Sequence, residues 1–236
     1  KNFIELRGLL ARVMLRRTWK EVMPDHPMPT WETHVLDATL AHPEDIERWQ
    51  ELEASPRFGA HAKRMIAALA RGEEVDLATF KPTQNLAKLR WAASWVRVKP
   101  VTAFVTSLLQ ADKALKVVVF AEHGRLIEML TENLKPFHAR CIYGGTPQNK
   151  RQKLIDDWST KYWRRPLICN TTVTRTAIDL SVADVFVFAE LNWTPDNNYQ
   201  AVMRGINLNK PREVKGYNCV LPNSSDEAVP ATLPRK

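Results

Sequence analysis

The sequence predicts an α/β domain, a mostly parallel sheet with helices on both faces, preceded by a helical linker or protrusion. Three observations predict it. Short apolar runs recur at 117–120, 141–143, 167–169, 185–188 and 219–221. They are unbroken rather than alternating, as in strands covered on both faces. Helical periodicities separate them, whereas the chain before Pro100 carries helical patterns and few strand signals.

Each element has its own signal. Phe3, Leu6, Leu9, Leu10, Val13 and Met14 share a helical spacing, with Arg7, Arg12, Arg16 and Arg17 at other positions, so 3–17 reads as an amphipathic helix with a basic end. Pro24, Pro27 and Pro29 interrupt regular structure, and 31–40 then reads as an extended edge segment. Pro43 suits the first turn of a helix across 43–53. Further helices are expected across 58–70 and, past a loop at 72–82, across 86–98, where Trp91 and Trp95 lie one turn apart. Between the later strands, Leu126, Ile127, Leu130 and Leu134 form one helical face, Leu154, Ile155 and Trp158 a second, and Tyr199, Val202, Met203 and Ile206 a third. Residues 223–236 read as a loose tail.

Composition removes several function classes. The chain has 236 residues, a net charge of +8 and eight glycines. Those glycines, at 8, 59, 72, 124, 144, 145, 205 and 216, spell neither a dinucleotide fingerprint nor a phosphate-cradling Walker loop. No apolar run approaches the roughly 18 residues of a spanning helix, so no membrane partner is expected. Cys141, Cys169 and Cys219 lie far apart in apolar stretches, the usage of a reduced, intracellular protein in cytoplasm, nucleoid or nucleus. No histidine pair has metal-ligand spacing. Asp156 and Asp157, adjacent on a helix, point to different faces and cannot act as an acid–base pair.

In parallel sheets ligands bind beyond the carboxyl ends of the strands. The loops there read Ala121-Glu122-His123, Gly144-Gly145-Thr146-Pro147 followed by Lys150-Arg151, Asn170-Thr171-Thr172, and Ala189 through Pro195. Amides, hydroxyls and cations suit phosphate oxygens. Arg140, Lys150, Arg151, Lys153, Lys161, Arg164, Arg165 and Arg175 face only Asp156 and Asp157 in that stretch, which reads as a basic patch. A solvated basic face is the competing reading. Trp91, Trp95 and Trp158 fit core packing, and Trp193, in a strand-end loop, is the best candidate for stacking.

The strings K-V-V-V-F-A-E-H, Y-G-G-T-P-Q-N-K-R-Q-K-L-I-D-D-W, D-V-F-V-F-A-E-L-N-W-T-P and Y-Q-A-V-M-R resemble motifs of the second RecA-like lobe of Swi/Snf-type ATP-dependent DNA translocases. F-A-E-L-x-W-x-P is most similar to the annealing-helicase branch, and L-R-G-L-L-A-R-V-M-L-R-R-T-W-K-E-V-M-P-D-H-P resembles the end of a first lobe. The resemblance implies a division into 1–30, the end of the first lobe and the crossover; 31–99, a helical protrusion; 100–222, the second lobe; and the tail. It implies double-stranded or branched DNA and an upstream first lobe as partners, with ATP and Mg2+ held mainly by that lobe. It places Arg204 toward the ATP phosphates, with Gln200 at the opening glutamine of the same motif. It places Gly144, Thr146, Thr171 and Thr172 on the DNA backbone, with Gly145, Lys150, Arg151 and Trp193 beside them.

The departures fall on the catalytic motifs. The second motif arginine is Asn207, the acidic residue before the first is Met203, and a glycine of the preceding motif is Ala177. A degenerate lobe that binds nucleic acid or protein without catalysis is therefore the alternative. A stand-alone enzyme for a small phosphorylated ligand is a third reading, weakened by the lack of an acid–base pair.

Overall fold

The computed structural model describes residues 8, 19–22, 24–25, 27–55, 84–163, 165–171, 178–192, 195–205 and 213–224. The expected helices across 3–17 and 58–70 lie largely or wholly outside the described residues, as do Thr172, Arg175, Ala177, Trp193, Asn207 and the tail from 225.

Six strands form one sheet: β1 (Thr30–Val35), β2 (Val117–Ala121), β3 (Arg140–Ile142), β4 (Pro166–Asn170), β5 (Val185–Phe188) and β6 (Lys215–Val220). Their spatial order is β1-β6-β5-β2-β4-β3, and every neighbouring pair is parallel. The helices are α1 (Pro43–Ala54), α2 (Gln84–Ala111), α3 (Gly124–Asn133), α4 (Gln148–Thr160) and α5 (Pro195–Met203).

Two cores flank the sheet. On one face Val117, Val119 and Ala121 of β2 meet Val96, Val101, Val105 and Leu109 of α2 and Leu126, Ile127 and Leu130 of α3. On the other, Val118 and Phe120 meet Ile155 and Trp158 of α4 and Ala201 and Val202 of α5. Alternate residues of one strand thus enter opposite cores, which is why the run is apolar throughout.

Trp158 anchors the second core. It is fully buried, its Nε1–H donates to the Arg165 carbonyl at 3.1 Å, and its own carbonyl accepts from Lys116 Nζ. Lys116 Nζ also donates to the Lys161 carbonyl at 2.7 Å, and burial pulls its pKa down to about 8 against the opposing charge of Asp184. Trp158→Phe leaves the Arg165 carbonyl without that donor and a gap beside Lys116, so stability is expected to fall by about 2 kcal/mol. Urea unfolding checks this; an unchanged midpoint would contradict the anchoring role.

Three expectations need correction. First, within the segment 31–99 expected as a helical protrusion, the first part of the expected extended edge segment is β1, which completes the sheet beside β6, while 38–40 form a short helical turn. The reason is local: a Cβ at Gly216 would stand 2.7 Å from the Trp31 ring, so glycine lets the indole lie on β6, where it also meets Phe188 at 5.5 Å. Second, the helix expected to end at 98 runs to Ala111 with Pro100 inside it. A proline there costs about 3 kcal/mol, but burying Val101, Val105 and Leu109 returns roughly 1.5–3 kcal/mol each. Third, β6 begins at Lys215, earlier than its apolar run, because its first half is matched to the edge strand.

Candidate functional site

The strand order reverses between β2 and β5. The chain leaves β2 through α3 toward β3 on one side, and leaves β5 through α5 toward β6 on the other. The crevice at the carboxyl ends of such a pair is where ligands bind in open α/β sheets.

Here that crevice is tied shut by Glu190, which follows β5 and is 3% exposed. Its Oε2 accepts from the backbone N–H of Glu122 at 2.8 Å and of His123 at 3.0 Å, and its Oε1 lies 2.7 Å from His123 Nδ1. Burial alone would raise the pKa of this carboxyl. The His123 hydrogen bond and the charges of His123, Arg97 and Arg90 outweigh it and hold the value at about 2. Both oxygens are thus occupied by the protein itself, so Glu190 is a brace and not a proton carrier.

The brace extends outward. Arg97 Nη1 donates to the Ala189 carbonyl at 3.2 Å and Arg90 Nη2 to the Leu191 carbonyl at 3.1 Å. Asn170 Nδ2 donates to the Glu122 carbonyl at 2.8 Å, joining β4 to the loop after β2. Asn192 Nδ2 donates to Glu122 Oε1 at 3.2 Å, while Asn198 of α5 both accepts from the Asn192 N–H and donates to its carbonyl. The loops after β2, β4 and β5 and two helices are one hydrogen-bonded platform.

Helix α2 reaches this platform because it is long. Its 28 residues span about 42 Å, against about 17 Å for β2. Its amino-terminal half therefore overhangs the carboxyl edge, carrying Arg90 and Arg97.

A second loop stands beyond β3. Thr146 N–H donates to the Tyr143 carbonyl at 2.9 Å, Tyr143 N–H donates to Thr146 Oγ1 at 3.1 Å, and Arg151 Nε donates to the Thr146 carbonyl at 3.0 Å. Gly144, Gly145 and Lys150 are exposed, while Thr146 and Arg151 are half-buried. A Cβ at Gly145 would stand 2.9 Å from the Tyr143 ring, whereas Gly144 faces open space. Five of the expected nucleic-acid residues are thus brought together in one braced turn opening α4.

Others are placed differently. Thr171 is 1% exposed, so its hydroxyl is not presented on the surface, a correction to its expected contact with a DNA backbone. Gln200 is exposed on α5, and Arg204, just past that helix, is half-buried with Nη1 3.5 Å from the Ile178 carbonyl.

Among the described residues, the basic patch expected across 140–175 is also divided between the two edges of the sheet. Helix α4 has 13 residues, about 20 Å, and returns from the carboxyl edge of the sheet to the amino edge. Lys150 and Arg151 stay at the first, whereas Lys161 pairs with Asp157 and Arg165 donates to the Leu109 and Asp112 carbonyls at the second. The thiols match their reading more closely: Cys169 and Cys219 are buried, which raises both, the latter to about 12.

Sequence reasoning listed Glu122, His123, Asn170, Glu190 and Asn192 as strand-end residues but gave them no role. Their pairing across adjacent strands was readable only from the sheet order. Arg90 and Arg97 gave no signal, since their partners lie 101 and 92 residues away.

The sequence and the fold are similar to those of known proteins. Residues 101–209 match the model of the helicase conserved C-terminal domain. The SWI/SNF-related matrix-associated actin-dependent regulator of chromatin subfamily A-like protein 1 of Drosophila melanogaster is 27% identical over 97% of this chain and 28% of its own length. Over this span the chain is similar to helicase C-terminal domains and to proteins of the Swi/Snf type. The DNA annealing helicase and endonuclease ZRANB3 of Mus musculus is 26% identical over all of this chain and 21% of its own length. The chain therefore spans between a fifth and a third of these relatives. The crystal structure of the C-terminal part of the Fun30 ATPase domain superposes with a TM-score of 0.62 at 13% identity, covering 89% of this chain and 91% of that one, which shows the RecA-like fold. In this matched span the Glu190 brace holds the F-A-E-L-N string against the loop after β2.

Proposed function

We propose that this chain carries a helicase C-terminal domain that is the second lobe of a double-stranded DNA translocase, gripping the phosphate backbone with the turn that opens α4 and directing Arg204 toward ATP on a first lobe. The observation that carries the reading is the exposed Gly144-Gly145 turn with Lys150 beside it, braced so that its backbone is fixed before a ligand arrives. Fixed amides and a nearby cation hold phosphate without reading sequence.

Bound ATP with Mg2+ would supply the phosphoryl chemistry. Among the described residues no cluster of three His, Cys, Asp or Glu offers Mg2+ a ligand set, so the part of the site this chain fits is the Arg204 guanidinium. Arg204 is half-buried just after α5, and its Nη1 contact to Ile178 is at the long limit of a hydrogen bond. A fixed cation so placed can stabilise charge on a transferring phosphoryl group.

Duplex binding tests the proposal. Affinity for a labelled blunt duplex is expected to fall steeply between about 50 and about 200 mM salt, whatever its sequence, and Lys150→Ala should lower the log–log slope by about 1. An affinity independent of salt would remove the proposed contact surface. A second reading, a lobe that binds without supporting turnover, is favoured by Met203 at the acidic motif position and by the burial of Thr171.

A further inference from the structure

Outside the braced turn, the overhanging half of α2 carries two indoles that the fold does not finish burying. Trp91 is 40% exposed and meets Trp95 edge to face, ring centroids 5.7 Å apart at 72°. This corrects the core-packing reading of Trp91. The Arg48 guanidinium of α1 lies over the Trp91 ring at 4.9 Å, and that of Arg125, in the first turn of α3, over the Trp95 ring at 5.8 Å. Asp45, Arg48, Trp91, Ala92 and Trp95 line a hollow of about 180 Å³. Trp95 Nε1 is enclosed with no acceptor among the described residues, although a buried indole N–H normally finds one.

These features specify an occupant. The hollow is smaller than the roughly 300–1,000 Å³ of sites for whole small-molecule ligands, so it suits one planar ring and not a nucleotide triphosphate. Its aromatic lining attracts a π-face, and Asp45 can accept from a ring N–H or an exocyclic amine of a base. The two arginines leave it able to hold a phosphate attached to that ring. It lies at the same carboxyl edge as the Gly144 turn, because Arg90, one residue before Trp91, is bonded to the Leu191 carbonyl.

We infer that the Trp91–Trp95 hollow is a stacking site for an unpaired nucleobase of DNA. Bases within a duplex are stacked on one another and cannot enter, so the site responds to single-stranded segments, as at a junction or a tail. It rests on the proposed DNA-binding role and adds a strand-state preference that the backbone contacts of the Gly144 turn cannot supply.

The test is anisotropy of the full chain with three labelled probes: a short oligothymidine, a blunt duplex, and the same duplex carrying an oligothymidine tail. Wild type should bind the tailed duplex more tightly than the blunt one. Trp91→Ala should weaken binding to the oligothymidine and the tail by about fivefold or more, leave the blunt duplex unchanged, and be largely rescued in Trp91→Phe. The Phe variant keeps an aromatic face, so a loss of folding in Trp91→Ala still leaves a measurable pair. An equal loss on all three probes, or none on the oligothymidine, overturns the stacking site; the second result is the one expected if the hollow takes a protein segment. If wild type binds the duplex while Trp91→Ala leaves oligothymidine binding intact, only this inference fails. If wild type binds no probe, the DNA-binding role fails with it.

Discussion

Glu190→Ala is expected to destabilise the domain by about 3–5 kcal/mol. The substitution strands the N–H groups of Glu122 and His123, removes the partner of the His123 ring, and leaves Arg90 and Arg97 beside an apolar methyl. A buried charge network that loses one member leaves the others uncompensated, which costs more than the intact network contributed. Glu190→Gln keeps the shape and should cost less. Acid titration gives an independent readout. The carboxyl is held at about 2 in the folded domain against an ordinary 4.5, so its contribution is complete above about pH 4.5. As pH falls the unfolded chain binds the proton first, and stability drains away between about 4.5 and about 2, by about 3 kcal/mol over the whole interval. Urea unfolding of wild type and Glu190→Gln at about pH 5 and near pH 3 reads the carboxyl, because groups that do not touch Glu190 titrate alike in both. Equal acid losses in the two proteins would show that Glu190 is not the brace.

Arg204→Ala is expected to lower ATP turnover by about 10³-fold or more in a chain joined to a first lobe that hydrolyses ATP. Duplex affinity should stay within error, since Arg204 is not part of the turn proposed to hold the duplex. Turnover within a few-fold of wild type would remove Arg204 from the phosphoryl-transfer machinery. Such a result would favour the non-catalytic reading, which Asn207 at the second arginine position already invites. Asn207→Arg then separates the two further: a rise in turnover is expected if the motif is an eroded catalytic one.

Much of the fold was legible because the responsible forces are local. Val117 to Phe120 and Val185 to Phe188 are apolar at every position, and only a strand between two layers keeps four such residues from water. The periodicity of Leu126, Ile127 and Leu130 marked the buried face of α3 in the same way. Pro100 misled because a local backbone penalty is visible in sequence, whereas the distant packing of Val101, Val105 and Leu109 that exceeds it is not. Trp31 was legible only as part of an extended edge segment; its seat on β6 depends on an absent side chain at Gly216, far along the chain.

For the candidate site, residue types and spacing determined the helicase motifs, the lack of a Walker loop, and the turn of Gly144, Gly145, Thr146, Lys150 and Arg151, since a turn and its following helix are contiguous. Only the tertiary structure decided that Glu190 is spent on His123 and two backbone amides, that Thr171 is enclosed, that the basic run divides between the two ends of α4, and that Trp91 stands at the edge with an arginine over its ring. The physical reason is the same in each case. Charge, exposure and free hydrogen-bonding capacity belong to an environment, and that environment is assembled from strands and helices that the chain visits far apart.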